Sequence, residues 1–387
     1  MTTRPASPIE FLHPDPTGAG FSEEGILHLE KTFHEQIRAG LHPGAQLVVL
    51  RHGIVVVDLA AGIANLRKRL PVTPETIFPI FSCTKSFTAV CIHHLVETGK
   101  LNLDAPVAAY WPAFGCKGKE ETTIRHVLLH QGGFPWVGLP WQIPLWGSPR
   151  LIAPFLAGKP AKWEPGSRME YHPVNGGFVL GELIRRVTGL SPAEFLHQHF
   201  LKPLGMTHTY PGLPYWLFPQ SARTYNTDPA QKDAQFLFNR AIIRHMYLPA
   251  ASICTTARDL ATFYHMLSNL GLYNGRQYLK PETIQQATTL GYDGPNNAPN
   301  KRIRWSMGFT LGGYSEFLDE DIRLMGKGST EKTFGHPGQG GASLAWADPA
   351  SGVVFAFVNN HFQNAENAHR RAESLANCVW DALVNKV

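Results

Sequence analysis

Apolar residues recur at helical spacing across 22–39, where Ile26, Leu29, Phe33 and Ile37 fall on one face behind Ser22, a good N-cap. The period then changes. Segments 46–50 and 54–59 are β-branched runs separated by Arg51-His52-Gly53, the pattern of two strands joined by a tight turn. Segments 341–346 and 353–358 flank Asp348-Pro349-Ala350-Ser351-Gly352 in the same way, and 367–384 returns to helical periodicity. Between the ends the patterned segments are mainly helical: 82–98, 122–130, 174–188, 192–199 and 256–269. Long loops rich in proline and aromatics, 134–147 and 210–219, separate them. Strands at both ends with helices between predict an α+β fold, an antiparallel sheet formed by both termini and flanked by helices, plus an inserted mainly helical domain. The predicted division is 22–81 with 301–387 for the sheet domain, 82–300 for the insert and 1–21 for an N-terminal arm.

Composition narrows the class without changing this outline. The 387 residues are 43% hydrophobic and 17% charged, the balance of a folded globular protein. The formal charge is +5, yet Lys and Arg are scattered singly, so no basic arm points to nucleic acid. The first twenty residues, rich in Pro and Gly, lack an apolar h-region and read as a loose arm, not a signal peptide. No apolar run reaches the length of a membrane span. Five widely spaced cysteines without a C-x-x-C suit reduced thiols in a cytoplasmic protein.

Three places can carry chemistry. Ser82 and Lys85 are spaced to share a helix face, and an amine held neutral can take a serine proton. A position in the first helical turn, near the positive end of the helix dipole, favours that neutral form. The plain alternative for Ser82 is a helix N-cap. About one chance S-x-x-K is expected in a chain this long, and a second occurs at Ser329–Lys332, in a charged, Gly-rich stretch that reads as a surface loop. Tyr171 precedes a helix entered through Pro173 and carrying Gly176, Gly177 and Gly181, which suit close approach of another backbone. The phenol can relay protons or simply pack its ring. Finally, His336-Pro337-Gly338-Gln339-Gly340-Gly341 leads into a strand, and a backbone N–H there can join that of Ser82 in an oxyanion hole, or the stretch is only a tight turn.

Other motifs fail on context. Gly341-Ala-Ser343-Leu-Ala345 lacks the final glycine of G-x-S-x-G and runs into a strand where a helix is required. His126 and His130 have metal-ligand spacing without the glutamate of H-E-x-x-H, so hydrogen-bonded histidines are expected and no metal.

Taken in order with their flanks, these sites resemble the serine β-lactamase and penicillin-binding superfamily, in particular class C β-lactamases and the family VIII carboxylesterases. The resemblance runs over about residues 22–385 through FSCTKSFTA at 81–89, WEPGSRMEYHPVNGG at 163–177 and FGHPGQGGASLAW at 334–346. It implies Ser82 as the acylated nucleophile, Lys85 as the activating amine and Tyr171 as base or proton relay. The implied oxyanion donors are the N–H groups of Ser82 and Gln339, with no cofactor. His336 and Gly338 would border the substrate, and Trp136 and Trp141 would line an acyl pocket or merely pin their loop. Two departures stand out. Tyr171-His172-Pro173 replaces Tyr-x-Asn, leaving Asn175 two residues late, and His336-Pro337-Gly338 replaces K-T-G, removing an ammonium and a hydroxyl suited to a lactam carboxylate. Cleavage of a small-molecule carboxylic ester, short-chain or aromatic, through an acyl-serine is therefore expected. A β-lactamase, D-amino-acid peptidase, amidase or acyltransferase on the same fold is the alternative, and the oligomeric state stays open.

Overall fold

The computed structural model describes residues 8–135, 143–296, 301–313 and 323–384. Strand Gly44–Arg51 explains the architecture. All of its residues are buried. Leu47 and Val49 enter one core, and Val48 and Leu50 enter another on the opposite face. A strand covered on both faces needs apolar residues at successive positions, which is why this stretch reads as a continuous run. It pairs antiparallel with Ile54–Asn65 on one side and Val353–Asn359 on the other.

The sheet has nine strands in the order Tyr292–Asn296, Lys301–Trp305, Thr310–Leu311, Phe334–Pro337, Ser343–Asp348, Val353–Asn359, Gly44–Arg51, Ile54–Asn65, Leu70–Pro71. Its centre joins the two ends of the chain, as the hydrophobic pattern predicts. Helices Glu23–Arg38 and Ala365–Ala382 cover one face, where Leu29, Phe33, Leu375 and Val379 share a core with Leu47, Phe355 and Phe357. Helix Ala257–Ser268 lies on the other face, with Thr84–Glu97 packed in the same core.

Helix Thr84–Glu97 departs from the one-faced amphipathic pattern. It buries Thr84, Lys85, Ser86 and Thr88 as well as Phe87, Val90 and Leu95. Buried polar groups must be paired, and these are. Thr84 Oγ1 accepts from the Ile253 amide at 3.1 Å, Ser86 Oγ lies 3.0 Å from the Tyr264 hydroxyl, and Thr88 Oγ1 donates to the Pro249 carbonyl at 2.5 Å. Helix Asn175–Thr188 packs beside it. A Cβ on Gly177 would lie 2.6 Å from the Ala250 Cβ, and one on Gly181 would lie 2.9 Å from the Pro249 ring, so these glycines admit segment 249–250. Gly176 has ordinary room, its nearest neighbour at 3.6 Å.

The leading arm, expected to be loose, is anchored at several points over residues 8–21. Ile9 and Phe21 are buried, the Asp15 amide donates to the Val55 carbonyl at 2.8 Å, and Arg51 Nη1 donates to the Ala19 carbonyl at 2.9 Å. Two apolar anchors outweigh the Pro and Gly content around them. No helix among the described residues is long and apolar enough to cross a membrane, and all five cysteines are unbridged.

Candidate active site

Ser82 sits in a 3₁₀ turn, Phe81–Cys83, that runs directly into helix Thr84–Glu97. It is not the helix cap: Cys83 holds that position, with no side-chain capping bond. Phe81 adopts a left-handed φ of 47°, a conformation that costs a non-glycine residue energy and persists where surroundings enforce it. Here the enforcement is aromatic. The Phe81 ring packs edge-on against Phe238 at 4.8 Å and Phe362 at 4.9 Å.

Lys85 follows one turn later, on the same helix face. Its Nζ lies 3.1 Å from Ser82 Oγ, 2.8 Å from the Pro173 carbonyl and 3.0 Å from the Ala250 carbonyl. It has no carboxylate partner among the described residues, and burial lowers its pKa to about 7, with Cys83 opposing slightly. Tyr171 comes from the segment before helix Asn175–Thr188. Lys85 Nζ stands 4.9 Å from its ring centroid. Burial pushes the phenol well above its ordinary value, while a hydrogen bond to Ser82 pulls the other way. The amine thus touches the hydroxyl and stands beside the phenol ring.

The third wall is strand Phe334–Pro337, tied with the strand that follows it to the Ser82 turn by buried bonds. The Cys83 thiol donates to the His336 carbonyl at 2.8 Å, and the Ser343 hydroxyl donates to the Ile80 carbonyl at 2.8 Å. Gly338 is buried, and a Cβ there would lie 2.1 Å from Ser343 Oγ, so only glycine fits. His336 is 1% exposed. Its ring packs against Trp305 at 5.3 Å and faces Tyr171 at 6.4 Å. Burial and then the Lys85 charge lower its pKa to about 3, which keeps it neutral. Its Nδ1 donates to the Pro337 carbonyl at 2.7 Å.

Gln339 opens the turn Gln339–Gly341 after this strand, its exposed side chain donating to Gln231 Oε1 at 2.8 Å. Trp136 and Trp141 lie outside the described residues. From the other aromatic loop, Pro211 helps line a cavity of about 280 Å³ between helices Pro149–Ala157 and Asn175–Thr188, with Trp146, Phe178 and Tyr247; Ser82, Lys85 and Tyr171 do not border it. Trp216 is 74% exposed. Asn175 is buried, but its amide donates to the Phe134 carbonyl at 3.1 Å. Ser329 and Lys332 lie in a loop, away from any helix start. His126 completes the capping box of helix Ile124–Leu128, and His130 Nδ1 accepts from the His172 amide at 3.1 Å.

Several contributors carry no side-chain signature in the sequence. The carbonyls of Pro173 and Ala250 hold Lys85, and any residue owns a carbonyl. Cys83 and Ser343 join two walls of the site. Trp305 and His130 frame the Tyr171 ring at 5.9 and 4.6 Å. Of these, Cys83 lies inside the S-x-x-K spacing and Pro173 beside Tyr171, while Ser343 and His130 belong to motifs set aside on context.

Comparison with known proteins shows the family and the fold. A family model described as Beta-lactamase matches residues 29–377. The chain is 29% identical over 348 residues to the Esterase/beta-lactamase LipL of Mycobacterium tuberculosis, covering 82% of this chain and 77% of that protein. Among solved structures, a penicillin-binding protein homologue from Caulobacter crescentus superimposes with a TM-score of 0.81 at 30% identity, over 94% of this chain and 99% of that one. A family VIII carboxylesterase superimposes with a TM-score of 0.77 at 25% identity, over 93% of this chain and 99% of that one.

Proposed function

This chain belongs to the beta-lactamase family and is a serine hydrolase of that type; from that premise we propose that it cleaves carboxylic esters, short-chain or aromatic, through an acyl-serine at Ser82. The observation that carries the reading is the set of partners around Lys85 Nζ. A neutral amine has two N–H donors and one lone pair. The carbonyls of Pro173 and Ala250 can only accept, so they take both donors. The lone pair is left for the third neighbour, Ser82 at 3.1 Å, whose hydroxyl then donates to it. Tyr171, its phenol kept protonated by burial, stands beside the same hydroxyl and has a proton to give.

In this reading Ser82 Oγ attacks the ester carbonyl as its proton passes to Lys85. The N–H groups of Ser82 and Gln339 receive the developing oxyanion. Tyr171 delivers a proton to the departing alkoxide and is re-protonated from Lys85. Water then attacks the acyl-serine with the same groups running in reverse.

The surroundings favour an uncharged substrate. The position where a fixed ammonium would grip a substrate carboxylate holds His336, neutral and buried. The Asn175 amide is already engaged with Phe134. A neutral ester needs neither group. The test is turnover of 4-nitrophenyl acetate and butyrate beside nitrocefin, with wild type and Ser82→Ala. Ester cleavage well above nitrocefin turnover, abolished in the variant, is expected. Nitrocefin turned over faster than either ester, or an active Ser82→Ala, would overturn the proposal.

A further inference from the structure

Helix Ala365–Ala382 carries a buried guanidinium that the chemistry above leaves unused. Arg371 is 3% exposed and has no carboxylate partner among the described residues. Its Nη1 donates to the Leu41 carbonyl at 2.9 Å. Its Nη2 lies 2.8 Å from the carbonyl of Gly341, 3.1 Å from that of His361 and 3.3 Å from that of Gly340. Two of these carbonyls belong to the turn that begins at Gln339. Gly340 and Gly341 are both left-handed there, at φ 57° and 71°. A Cβ on Gly341 would lie 2.9 Å from Arg371 Nη2, and one on Gly340 would lie 2.8 Å from the Phe362 Cβ. Phe362 is also the residue whose ring packs on Phe81, next to Ser82.

Two adjacent glycines in a left-handed turn have many alternative conformations open to them. A turn that must present one amide in a fixed direction needs its carbonyls held from outside. A planar guanidinium with several donors in fixed directions does this better than a point-charge ammonium. A burial site without a counter-ion is costly for a cation, so its retention here calls for a role. We infer that Arg371 is a positioning residue: it fixes the carbonyls of Gly340 and Gly341 and thereby the Gln339 amide, so that this amide and that of Ser82 face one oxyanion. The inference rests on the ester-hydrolase reading for the identity of the oxyanion, not for the existence of the clamp.

The experiment compares wild type, Arg371→Lys and Arg371→Met in three readouts. These are ester kcat and KM, the rate at which a fluorophosphonate labels Ser82, and backbone hydrogen exchange across 338–342. Loss of one oxyanion donor typically costs about 10²–10³-fold in rate. Arg371→Met is expected to lose about 100-fold in kcat and in labelling rate, with KM within about threefold and faster exchange confined to the turn. Arg371→Lys, which keeps the charge and a single donor group, is expected to lose about five- to tenfold. It carries the test if the methionine variant does not fold. Wild-type labelling and exchange in Arg371→Lys overturn the inference, as does a loss expressed only in KM. Should wild type be labelled yet cleave no ester, the substrate reading falls while the labelling rates still judge Arg371. Should wild type react with neither, exchange in the turn alone decides, and unchanged protection overturns it.

Discussion

Lys85 and Arg371 occupy comparable surroundings. Each is buried, each donates to backbone carbonyls and neither meets a carboxylate among the described residues. Burial lowers the pKa of both, from 10.5 to about 7 for the amine and from 12.5 to about 9 for the guanidinium. The same environment therefore has opposite consequences. The amine can shed its proton at neutral pH and leaves a lone pair facing Ser82. The guanidinium stays charged and goes on donating. On the proposed roles, one helix start gains a base and one turn a fixed clamp from the same device of a basic group held by carbonyls.

Exchanging the two chemistries gives the largest expected effect. Lys85→Arg keeps a cation among the same carbonyls but removes the group that can be neutral, so kcat/KM on a nitrophenyl ester should fall by about 10³–10⁴-fold. Arg371→Lys should stay within about tenfold of wild type. If the two losses are similar, the distinction between base and clamp fails. Next in size, Tyr171→Phe removes the proton donor beside Ser82 while leaving the ring against Trp305 and His130. A fall of about 10²–10³-fold in kcat is expected, and a phenylalanine variant with wild-type turnover would remove Tyr171 from the chemistry.

Protonation offers a smaller and graded test. Lys85 is the base only when neutral, so kcat/KM should climb about tenfold per pH unit below 7 and level off above, with its midpoint near 7. His336, at about 3, is neutral throughout and adds no limb. Arg371→Lys should scale the profile down without moving its midpoint. The sign for stability follows from the same shift. Unfolded, the lysine keeps its proton up to its ordinary 10.5; folded, it releases it at about 7. Between those values the unfolded chain binds more protons, so stability rises with pH there. Denaturant unfolding should show wild type gaining on Lys85→Met from pH 7 to 10 and not below.

The same contrast explains what the sequence makes legible. Ser82, Lys85 and Tyr171 could be proposed from the sequence because the chemistry expected of them lies in side chains, and the central strands are readable because successive apolar residues need cover on two faces. The carbonyls of Pro173, Ala250, Gly340 and Gly341 are invisible in a sequence, since every residue has one. Only folding selects which are left facing a cation. Arg371 reads as one basic residue of a terminal helix until its carbonyl partners are known. The left-handed Phe81 is equally hidden, because no local rule places a bulky residue there; Phe238 and Phe362, distant in the chain, hold it. Over residues 8–21 the Pro and Gly content pointed to a loose arm, whereas buried Ile9 and Phe21 anchor it.

Asn175 supplies the neutral third member of the comparison and the smallest expected effect. Like Lys85 and Arg371 it is buried and donates to backbone, reaching the Phe134 carbonyl at 3.1 Å and the Pro135 carbonyl at 3.5 Å. Unlike them it carries no charge and touches neither Ser82 nor the Gln339 turn in any bond described. Asn175→Ala should leave the Phe134 carbonyl short of a partner and cost about 1–3 kcal/mol in denaturant unfolding. Its kcat should fall less than tenfold, with the midpoint near pH 7 unmoved. A larger loss of kcat at preserved stability would mean that the amide acts on the substrate itself, and that the carbonyls of 134–135 are only where it rests between turnovers. A loss in stability alone would mean that holding carbonyls becomes chemistry here only when the donor is a basic group placed against Ser82 or the Gln339 turn.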